Sequence, residues 1–305
     1  MVRYILRRLL IAIPTLLVIS FVIFAILDLA PNDPTGNLPM TVPPETREKI
    51  RLSLGLGEAM HVRYYKWLVQ FFVNEPLNIL EQSFGIVIGD SGNRLRVLSW
   101  ATRSPVVDMI VERAPQTLWV VGLSYVFGIL MAIPIGIIQA YRQYSWFDQV
   151  GTFVAMVGFS VPTFFTGVVA ILVFSVQLQW LPMIYDTTLE VNSWGNFILQ
   201  FKQMIMPVMV LALQTTAQIS RYMRGAMLDN LNQDYVRTAR AKGLKESVVV
   251  MVHVLRNSMI PVVTIIALGM PAIFGGAIIT ENVFKVNGIG QLLLTALRAN
   301  DLPMV

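Results

Sequence analysis

The sequence predicts an all-α membrane protein whose helices cross the bilayer several times, and three observations lead to this class. Hydrophobic residues make up 55% of the 305-residue chain and charged residues only 13%, whereas soluble domains carry about 25% charged residues. Uncharged apolar runs long enough to span the hydrocarbon core recur along the chain. Basic residues collect in the short segments between alternate runs, as they do in cytoplasmic loops. Together these features predict a polytopic helix bundle.

The uncharged runs predict five transmembrane helices. The first run follows Arg3, Arg7 and Arg8, and a basic start before an apolar run is also typical of a signal peptide. This run is long enough to span the membrane and no small-x-small cleavage pattern follows it, so we interpret it as a transmembrane helix. The predicted spans cover residues 9–27, 116–138, 152–176, 203–220 and 258–280.

A large extracytoplasmic loop, residues 28–115, is predicted between the first two spans. Within it, residues 44–56 begin with proline and acids and continue with helical apolar spacing, so they predict a helix. Residues 61–73 are aromatic-rich and basic, which is typical of an element at the membrane interface. Residues 74–104 are predicted to be loop with weak strands. The segment is either a solvated structural lid or part of a docking surface for a partner.

Polar residues inside two predicted spans are candidates for the lining of a transport path. The third span contains Pro162 beside Ser160 and Thr163, and a proline kink either lines a path or serves packing. In the fourth span, Gln214 and Gln218 are four residues apart and share one helix face. These amides must face protein or water rather than lipid. They therefore lie at a pore or a subunit interface, or else hydrogen-bond between helices of this chain.

The charge distribution predicts a cytoplasmic N-terminus. With that orientation, the inner segments 1–8, 139–151 and 221–257 carry eleven basic and four acidic residues. An excess of Lys and Arg in short loops marks the cytoplasmic side. The predicted organisation is therefore a cytoplasmic tip and first span at 1–27, the loop at 28–115, and a core membrane domain at 116–305 whose cytoplasmic loop is 221–257.

This last loop contains a predicted helix–turn–helix. Residues 234–242 lack Gly and Pro and include good helix formers. Gly243 then ends the first helix, with the Lys242 cation in the last turn, where it complements the helix dipole. A second helical run, residues 245–257, leads into the fifth span.

Several motifs in this order resemble the permease subunits of bacterial ABC importers of the peptide/nickel family, in the dipeptide and oligopeptide branch. Arg237-Thr238-Ala239, followed after three residues by Gly243, is similar to the EAA loop of that family. Residues 28–34 resemble its APGDP turn, with Asn32 where glycine is usual. Residues 105–118 resemble the stretch that leads into the second span, and residues 281–292 match its E.vF…G.G.L signature. The resemblance covers nearly the whole chain.

The resemblance implies a type I importer permease in the bacterial inner membrane. Such a subunit pairs with a second, homologous permease, two ABC ATPases that bind ATP and Mg, and an extracytoplasmic solute-binding protein that delivers peptide. Its mechanism is alternating access between the two permeases. Residues 301–305 resemble the point where a sixth span begins, so we expect one more helix than this chain shows. The residues expected to couple the permease to the ATPase are Asp234, Arg237, Thr238, Ala239, Arg240, Ala241, Lys242 and Gly243.

The residues that the sequence lacks weigh against several other functions. No P-loop motif is present, so any ATP hydrolysis is expected on another chain. The chain has no cysteine and only two histidines, His61 and His253, and we predict neither a catalytic nor a metal site. The membrane topology accounts for the net charge of +5 without a nucleic-acid partner.

Three alternatives stay open. The same machinery could carry nickel, glutathione or a sugar instead of peptide. The chain could be an ATP-independent channel or carrier, although the predicted span cores lack the charged residues that ion-coupled carriers usually keep near the membrane midplane. It could also be a scaffold that anchors a soluble protein through its basic loop.

Overall fold

A computed structural model describes residues 2–29, 43–45, 48–49, 57–85, 94 and 96–305. These residues form helices, with one isolated antiparallel bridge between Leu98 and Pro105 and no longer strand in the described part of the chain. The fold divides into two compact units, residues 1–111 with 293–305, and residues 112–292. In chain order the helices are α1 (Val2–Leu29), α2 (Met60–Val69), α3 (Glu75–Phe84), α4 (Val106–Tyr141), α5 (Trp146–Ser160), α6 (Thr163–Gln177), α7 (Trp194–Leu231), α8 (Asp234–Ala241), α9 (Glu246–Gly275), α10 (Ile278–Phe284) and α11 (Ile289–Arg298).

The helices confirm the predicted all-α membrane class. Four of them, α1, α4, α7 and α9, are long and apolar enough to cross a membrane, and α5 with α6 makes a fifth span if the pair is counted together. The helices extend well beyond several predicted spans because their flanks are also helix-forming. The last predicted span, residues 258–280, is too long at its C-terminal end, because Gly276, with φ +73°, ends α9.

The predicted third span is not one straight helix. Between α5 and α6 the axis bends by 103°. Val161 adopts extended backbone angles, φ −78° and ψ 126°, and Pro162 follows it as the N-cap of α6. The residue before a proline is driven out of the helical region by the proline ring, so this pair breaks the helix instead of merely kinking it.

The loop between the first two spans is more helical than predicted. Residues 61–73, predicted only as an element at the membrane interface, are helical, in α2 and a π-helical stretch, Gln70–Asn74. The prediction of loop with weak strands for residues 74–104 is wrong for α3, which has a proline in its first turn and ends at Gly85 with φ +66°. Proline there and glycine at the end are both helix-boundary signals. The predicted helix at 44–56 and the turn at 30–34 lie largely outside the described residues.

In the first unit, α2 packs on the C-terminal half of α1 through aromatic rings. Tyr64 contacts Phe21 edge-to-face and stacks on Trp67, with ring centroids 5.2 Å and 6.0 Å away respectively. The Tyr64 hydroxyl donates to the Leu17 carbonyl at 3.0 Å. An ion pair between Arg63 and Asp28 joins the same two helices. The aromatic contacts supply packing that α1, which has no buried residue, otherwise lacks.

A carboxylate network organises the rest of this unit. The Arg96 guanidinium contacts the buried Glu75 carboxylate at 2.8 Å and the Asp108 carboxylate at 2.7 Å, so it joins α3 to the start of α4. These two carboxylates raise the pKa of Arg96 above its ordinary value. The buried Asp301 carboxylate accepts hydrogen bonds from the Ser99 hydroxyl and, at 2.8 Å, from the Trp100 N–H.

The second unit is built on close packing of α4 against α7. A Cβ atom added at Gly128 would lie 2.6 Å from Thr215 Cβ, and one at Gly136 would lie 2.6 Å from Met223 Cβ. The Thr216 hydroxyl donates to the Gly128 carbonyl at 3.2 Å across this contact. Small residues allow membrane helices to approach and gain dispersion energy.

Two apolar clusters of buried residues lie within this unit. One joins the C-terminal half of α4 to α7, α8 and α9, and the other joins the opposite half of α4 to α7 and α10. The first cluster contains Ala132, Ala140, Ile219, Met223, Met227, Val236, Ala239, Val249, Val250, Val254 and Val262. The second contains Val120, Tyr185, Met204, Met206, Val210, Phe284 and Val286.

We predict that Gly128→Ala lowers the thermal stability of the protein in detergent. The added methyl group cannot fit against Thr215, and overpacking typically costs about 1–3 kcal/mol. Heating followed by size-exclusion chromatography measures the loss of folded protein. Gly275→Ala is the control, because a Cβ atom there meets nothing within 4 Å. Equal melting behaviour of the two variants would contradict the close α4–α7 contact.

Candidate functional site

The predicted helix–turn–helix in the loop after α7 is present. Helix α8 spans Asp234–Ala241, Lys242 is its C-cap, and Gly243 has φ +75°. The Gly243 N–H donates to the Arg240 carbonyl at 2.9 Å, and the Leu244 N–H to the Ala239 carbonyl at 3.4 Å. These two bonds form a Schellman motif, which satisfies the last carbonyls of α8. The left-handed backbone at Gly243 favours glycine there.

One face of α8 belongs to the core of the second unit. Val236 is fully buried and Ala239 is 6% exposed, and both pack in the cluster that contains Met223 and Val254. Of the predicted coupling residues, Ala239 therefore faces inward. Because α8 shares a core with α7 and α9, its position is tied to theirs.

The other face of α8 is open. The side chains of Asp234 and Arg237 are 98% and 75% exposed and lie 3.6 Å apart. An exposed pair of this kind contributes little to stability. The remaining predicted coupling residues on this open surface are Thr238, Arg240, Ala241, Lys242 and Gly243.

A bidentate ion pair holds α8 to the start of α9. The Arg240 Nη2 and Nε atoms contact the Glu246 carboxylate oxygens at 2.7 Å and 3.1 Å. Hydrogen bonding to this carboxylate raises the pKa of Arg240 above its ordinary value. Arg240 thus closes the turn around Gly243, while Arg237 and Lys242 leave their charges at the surface.

A second ion pair, which the sequence reasoning missed, joins the first turn of α5 to α7. Arg224 Nε and Nη2 contact the buried Asp148 carboxylate at 2.6 Å and 2.8 Å. The Asp148 carboxylate also accepts the Tyr144 N–H at 2.9 Å, and the Ser145 hydroxyl caps α5 by accepting the Asp148 N–H. The Ser-x-x-Asp spacing is a helix-start signal that could have placed Asp148 in the sequence.

The predicted path residues of the third span lie at the break between α5 and α6. Ser160 is the last residue of α5, Pro162 caps α6 and Thr163 begins it, with Ser160 and Pro162 exposed. The Thr166 and Phe165 N–H groups donate to the Pro162 carbonyl at 3.1 Å and 3.0 Å. The break is therefore satisfied locally by the first turn of α6.

Gln214 and Gln218 lie in the middle of α7, Gln214 half-buried and Gln218 exposed. Gly158 of α5 faces Leu213 and Ala217, so the two glutamines are next to the α5–α7 contact but not inside it. Their amides are polar groups on a helix that is otherwise apolar enough to span a membrane.

An apolar cleft of about 820 Å³ lies among α4, α5, α6 and α7. Its polar lining side chains are Thr166 and Thr216, and none of the five predicted path residues lines it. The remaining lining is aliphatic, aromatic and methionine-rich. The amides of α7 and this cleft therefore occupy different surfaces.

The motif at the chain's end folds around one buried carboxylate, for which the sequence suggested no role. Glu281 is fully buried, and its carboxylate accepts hydrogen bonds from the Thr117 hydroxyl at 3.1 Å, the Ala277 N–H at 3.3 Å and the Gln291 N–H at 3.0 Å. A Cβ atom at Gly288 would lie 2.6 Å from this carboxylate. The motif glycines therefore leave room for the Glu281 carboxylate. Its hydrogen bonds connect α4 to the segment after α9.

Nothing in the described part of the chain resembles a metal centre. No group of three or more His, Asp or Glu side chains that could hold an ion occurs among the described residues.

We predict that Glu281→Gln lowers the thermal stability of the protein while Glu190→Gln does not. The glutamine amide replaces one acceptor oxygen with a donor, which leaves an N–H of Ala277 or Gln291 unpaired in a buried site. Glu190 is exposed, so the same change there removes no buried bond. The thermal midpoints in detergent provide the comparison, and equal midpoints would show that the buried carboxylate is not needed for stability.

Comparison with known proteins places these features in a family. Residues 132–305 match the family model "Binding-protein-dependent transport system inner membrane component", and residues 1–121 match its N-terminal companion. The oligopeptide transport system permease protein AppB of Bacillus subtilis is 36% identical over 100% of this chain and 90% of its own length. The glutathione transport system permease protein GsiC of Salmonella typhimurium and that of Escherichia coli K12 are each 34% identical, with the same coverage. The chain therefore belongs to the family of inner-membrane permease components of binding-protein-dependent ABC transport systems.

Proposed function

We propose that this chain is one of two membrane subunits of an ATP-driven peptide importer, and that α8 is the element through which ATP hydrolysis acts. The observation that carries this proposal is the two-sided character of α8. Its Val236 and Ala239 face shares a core with α7 and α9, and its Asp234 and Arg237 face is open. A helix with both properties suits transmission of movement from a partner into the spans.

The partner surface is formed by the exposed residues of α8 and its turn. Ala241 and Gly243 allow the close approach of another backbone, and Arg237 and Lys242 offer charge-assisted hydrogen bonds to carboxylates. The partners are two ABC ATPases, which bind the ATP and Mg, a second permease and a solute-binding protein. Ala239 acts from inside, by holding α8 against the core.

The proposed orientation places the N-terminus and α8 in the cytoplasm. The charge bias of the inner segments supports it. The contacts are consistent with it: the Arg224–Asp148 pair joins the start of α5, just after α4, to the end of α7, and Glu281 joins the N-terminal half of α4 to the segment after α9. Alternate loops thus gather at opposite ends of the second unit.

Peptide is the proposed cargo because the AppB relative is an oligopeptide permease. The GsiC relatives favour glutathione, itself a tripeptide, as the second candidate cargo. The path would run along surfaces that include Ser160, Pro162, Thr163, Gln214 and Gln218. Uptake of labelled peptides and of glutathione by the same assembled importer separates the two cargoes.

We predict that Arg237→Glu and Gly243→Pro each reduce ATP-dependent uptake at least tenfold while the protein still inserts in the membrane. Charge reversal opposes the contact with the ATPase, and proline at Gly243 cannot adopt φ +75° or donate the N–H to Arg240. Lys202→Glu, an exposed change near the other end of α7, is the control. Uptake at the wild-type rate in both α8 variants would remove the coupling role.

We also predict that purification in mild detergent from the native membrane brings down an ABC ATPase and a second permease. Ala241→Cys is the site for crosslinking, because Ala241 is exposed and the chain has no cysteine of its own. The crosslinked product should contain the ATPase. A chain that purifies alone and forms no such product would favour the channel or carrier alternative.

A further inference from the structure

A polar stripe runs along one face of α7 and ends in a charged residue. Gln214, Gln218 and Arg221 are spaced by four and three residues, so they lie on the same face of the helix. Gln218 and Arg221 are exposed and Gln214 is half-buried. The two glutamines lie within the predicted span and must face water or protein, because exposure to lipid is costly, and Arg221 follows at the inner end of that span.

The Arg221 side chain is held in a defined place. Its guanidinium carbon lies 4.7 Å from the centre of the Phe159 ring, within cation–π range. The residue before Phe159, Gly158, faces Leu213 and Ala217, which lie one to two turns toward the N-terminus of α7 from Arg221. The side chain therefore extends along α7 toward Gln218 and Gln214, the direction that helix side chains favour. It does not reach back toward the nearer, polar end of the helix.

A neighbouring arginine shows what distinguishes Arg221. The guanidinium of Arg224, one turn further along α7, makes a bidentate contact with the Asp148 carboxylate. Among the residues that the structure describes, Arg221 has no carboxylate within ion-pair distance. The charge of Arg224 is thus neutralised within the chain, whereas the charge of Arg221 is available to a ligand.

We propose that Arg221, with Phe159 behind it and Gln218 and Gln214 beside it, is a carboxylate-binding station of the transport path that receives the C-terminal carboxylate of a peptide cargo. This inference rests on the proposed importer function. A planar guanidinium binds a carboxylate through two parallel hydrogen bonds, and a ring behind it fixes its plane. The glutamine amides supply a donor and an acceptor for the peptide groups that precede the carboxylate.

The surrounding surfaces favour a cargo carboxylate over a lipid headgroup phosphate as the anion that binds Arg221. The guanidinium extends away from the nearer helix end, where a lipid headgroup would lie. The lining of the apolar cleft includes neither Arg221 nor the two glutamines, so acyl chains in that cleft would not bring a headgroup to this stripe.

The test compares two peptides of one sequence, one with a free C-terminal carboxylate and one with a C-terminal amide. The assembled importer is reconstituted in proteoliposomes, and each peptide is supplied preloaded on the binding protein at saturating concentration. The measured quantity is the ratio of ATP-dependent uptake of the acid to that of the amide. We expect Arg221→Gln to lower this ratio about tenfold, since a charge-assisted hydrogen bond is lost, with little change in amide uptake. Lys202→Gln, an exposed cation on the same helix, should leave the ratio unchanged.

Two further variants keep the test decisive. Phe159→Leu keeps the charge but removes the ring, and Arg221→Lys keeps the charge but removes the planar fork; both should lower the ratio by less than Arg221→Gln does. If Arg221→Gln does not assemble, these two variants carry the comparison. An unchanged ratio in them overturns the proposal.

Other outcomes identify other roles for Arg221. An equal loss of acid and amide uptake that depends on anionic lipid would assign Arg221 to a lipid headgroup. An equal loss that accompanies poor recovery of the second permease would assign it to the subunit interface. Either result overturns the cargo station. If the wild-type complex shows no ATP-dependent uptake of either peptide, the importer function itself fails, whereas uptake with an unchanged ratio refutes only the carboxylate station.

Discussion

The approach of α4 to α7 at Gly128 and Gly136 is the contact on which the second unit depends. Within a bilayer, lipid tails are as apolar as leucine side chains, so helices associate through close packing and hydrogen bonds. The glycines bring the backbones together, and the Thr216 hydroxyl bonds to the Gly128 carbonyl. Both apolar clusters of this unit include residues of α4 and α7, and α8, α9 and α10 pack onto them. The positions of α8 and of the polar stripe both follow from this pair.

Buried carboxylates organise the two ends of the same unit in different ways. At one end, Asp148 meets the charge of Arg224 in a bidentate contact and also accepts the Tyr144 N–H just before its own helix. At the other end, Glu281 receives only neutral donors, among them the Thr117 hydroxyl and the Gln291 N–H. A buried carboxylate is tolerated when every acceptor position is filled. Each of the two groups therefore ties parts of the chain that are distant in sequence into one local structure.

The sequence predicts the class, the number of apolar runs and the helix–turn–helix after α7 well, because these depend on local composition. Hydropathy marks the spans. The absence of Gly and Pro from residues 234–242 marks α8, and Gly243 marks its end. The tertiary contacts are less predictable. The break at Val161 and Pro162 is visible as a proline, but its 103° angle depends on packing. The inward position of Ala239, the pairing of Arg224 with Asp148 and the donors around Glu281 all join residues that no spacing rule connects.

The two faces of α8 also separate the constraints that act on its sequence. Substitution at Val236 or Ala239 disturbs a core shared with α7 and α9, so those positions are constrained by the fold of the permease. Substitution at Asp234, Arg237 or Ala241 leaves that core intact. The exposed positions are therefore free to adapt to a different partner surface while the membrane bundle stays the same. Under the proposed coupling role, an exchange of ATPase specificity between related permeases would require only a few substitutions on one side of a two-turn helix.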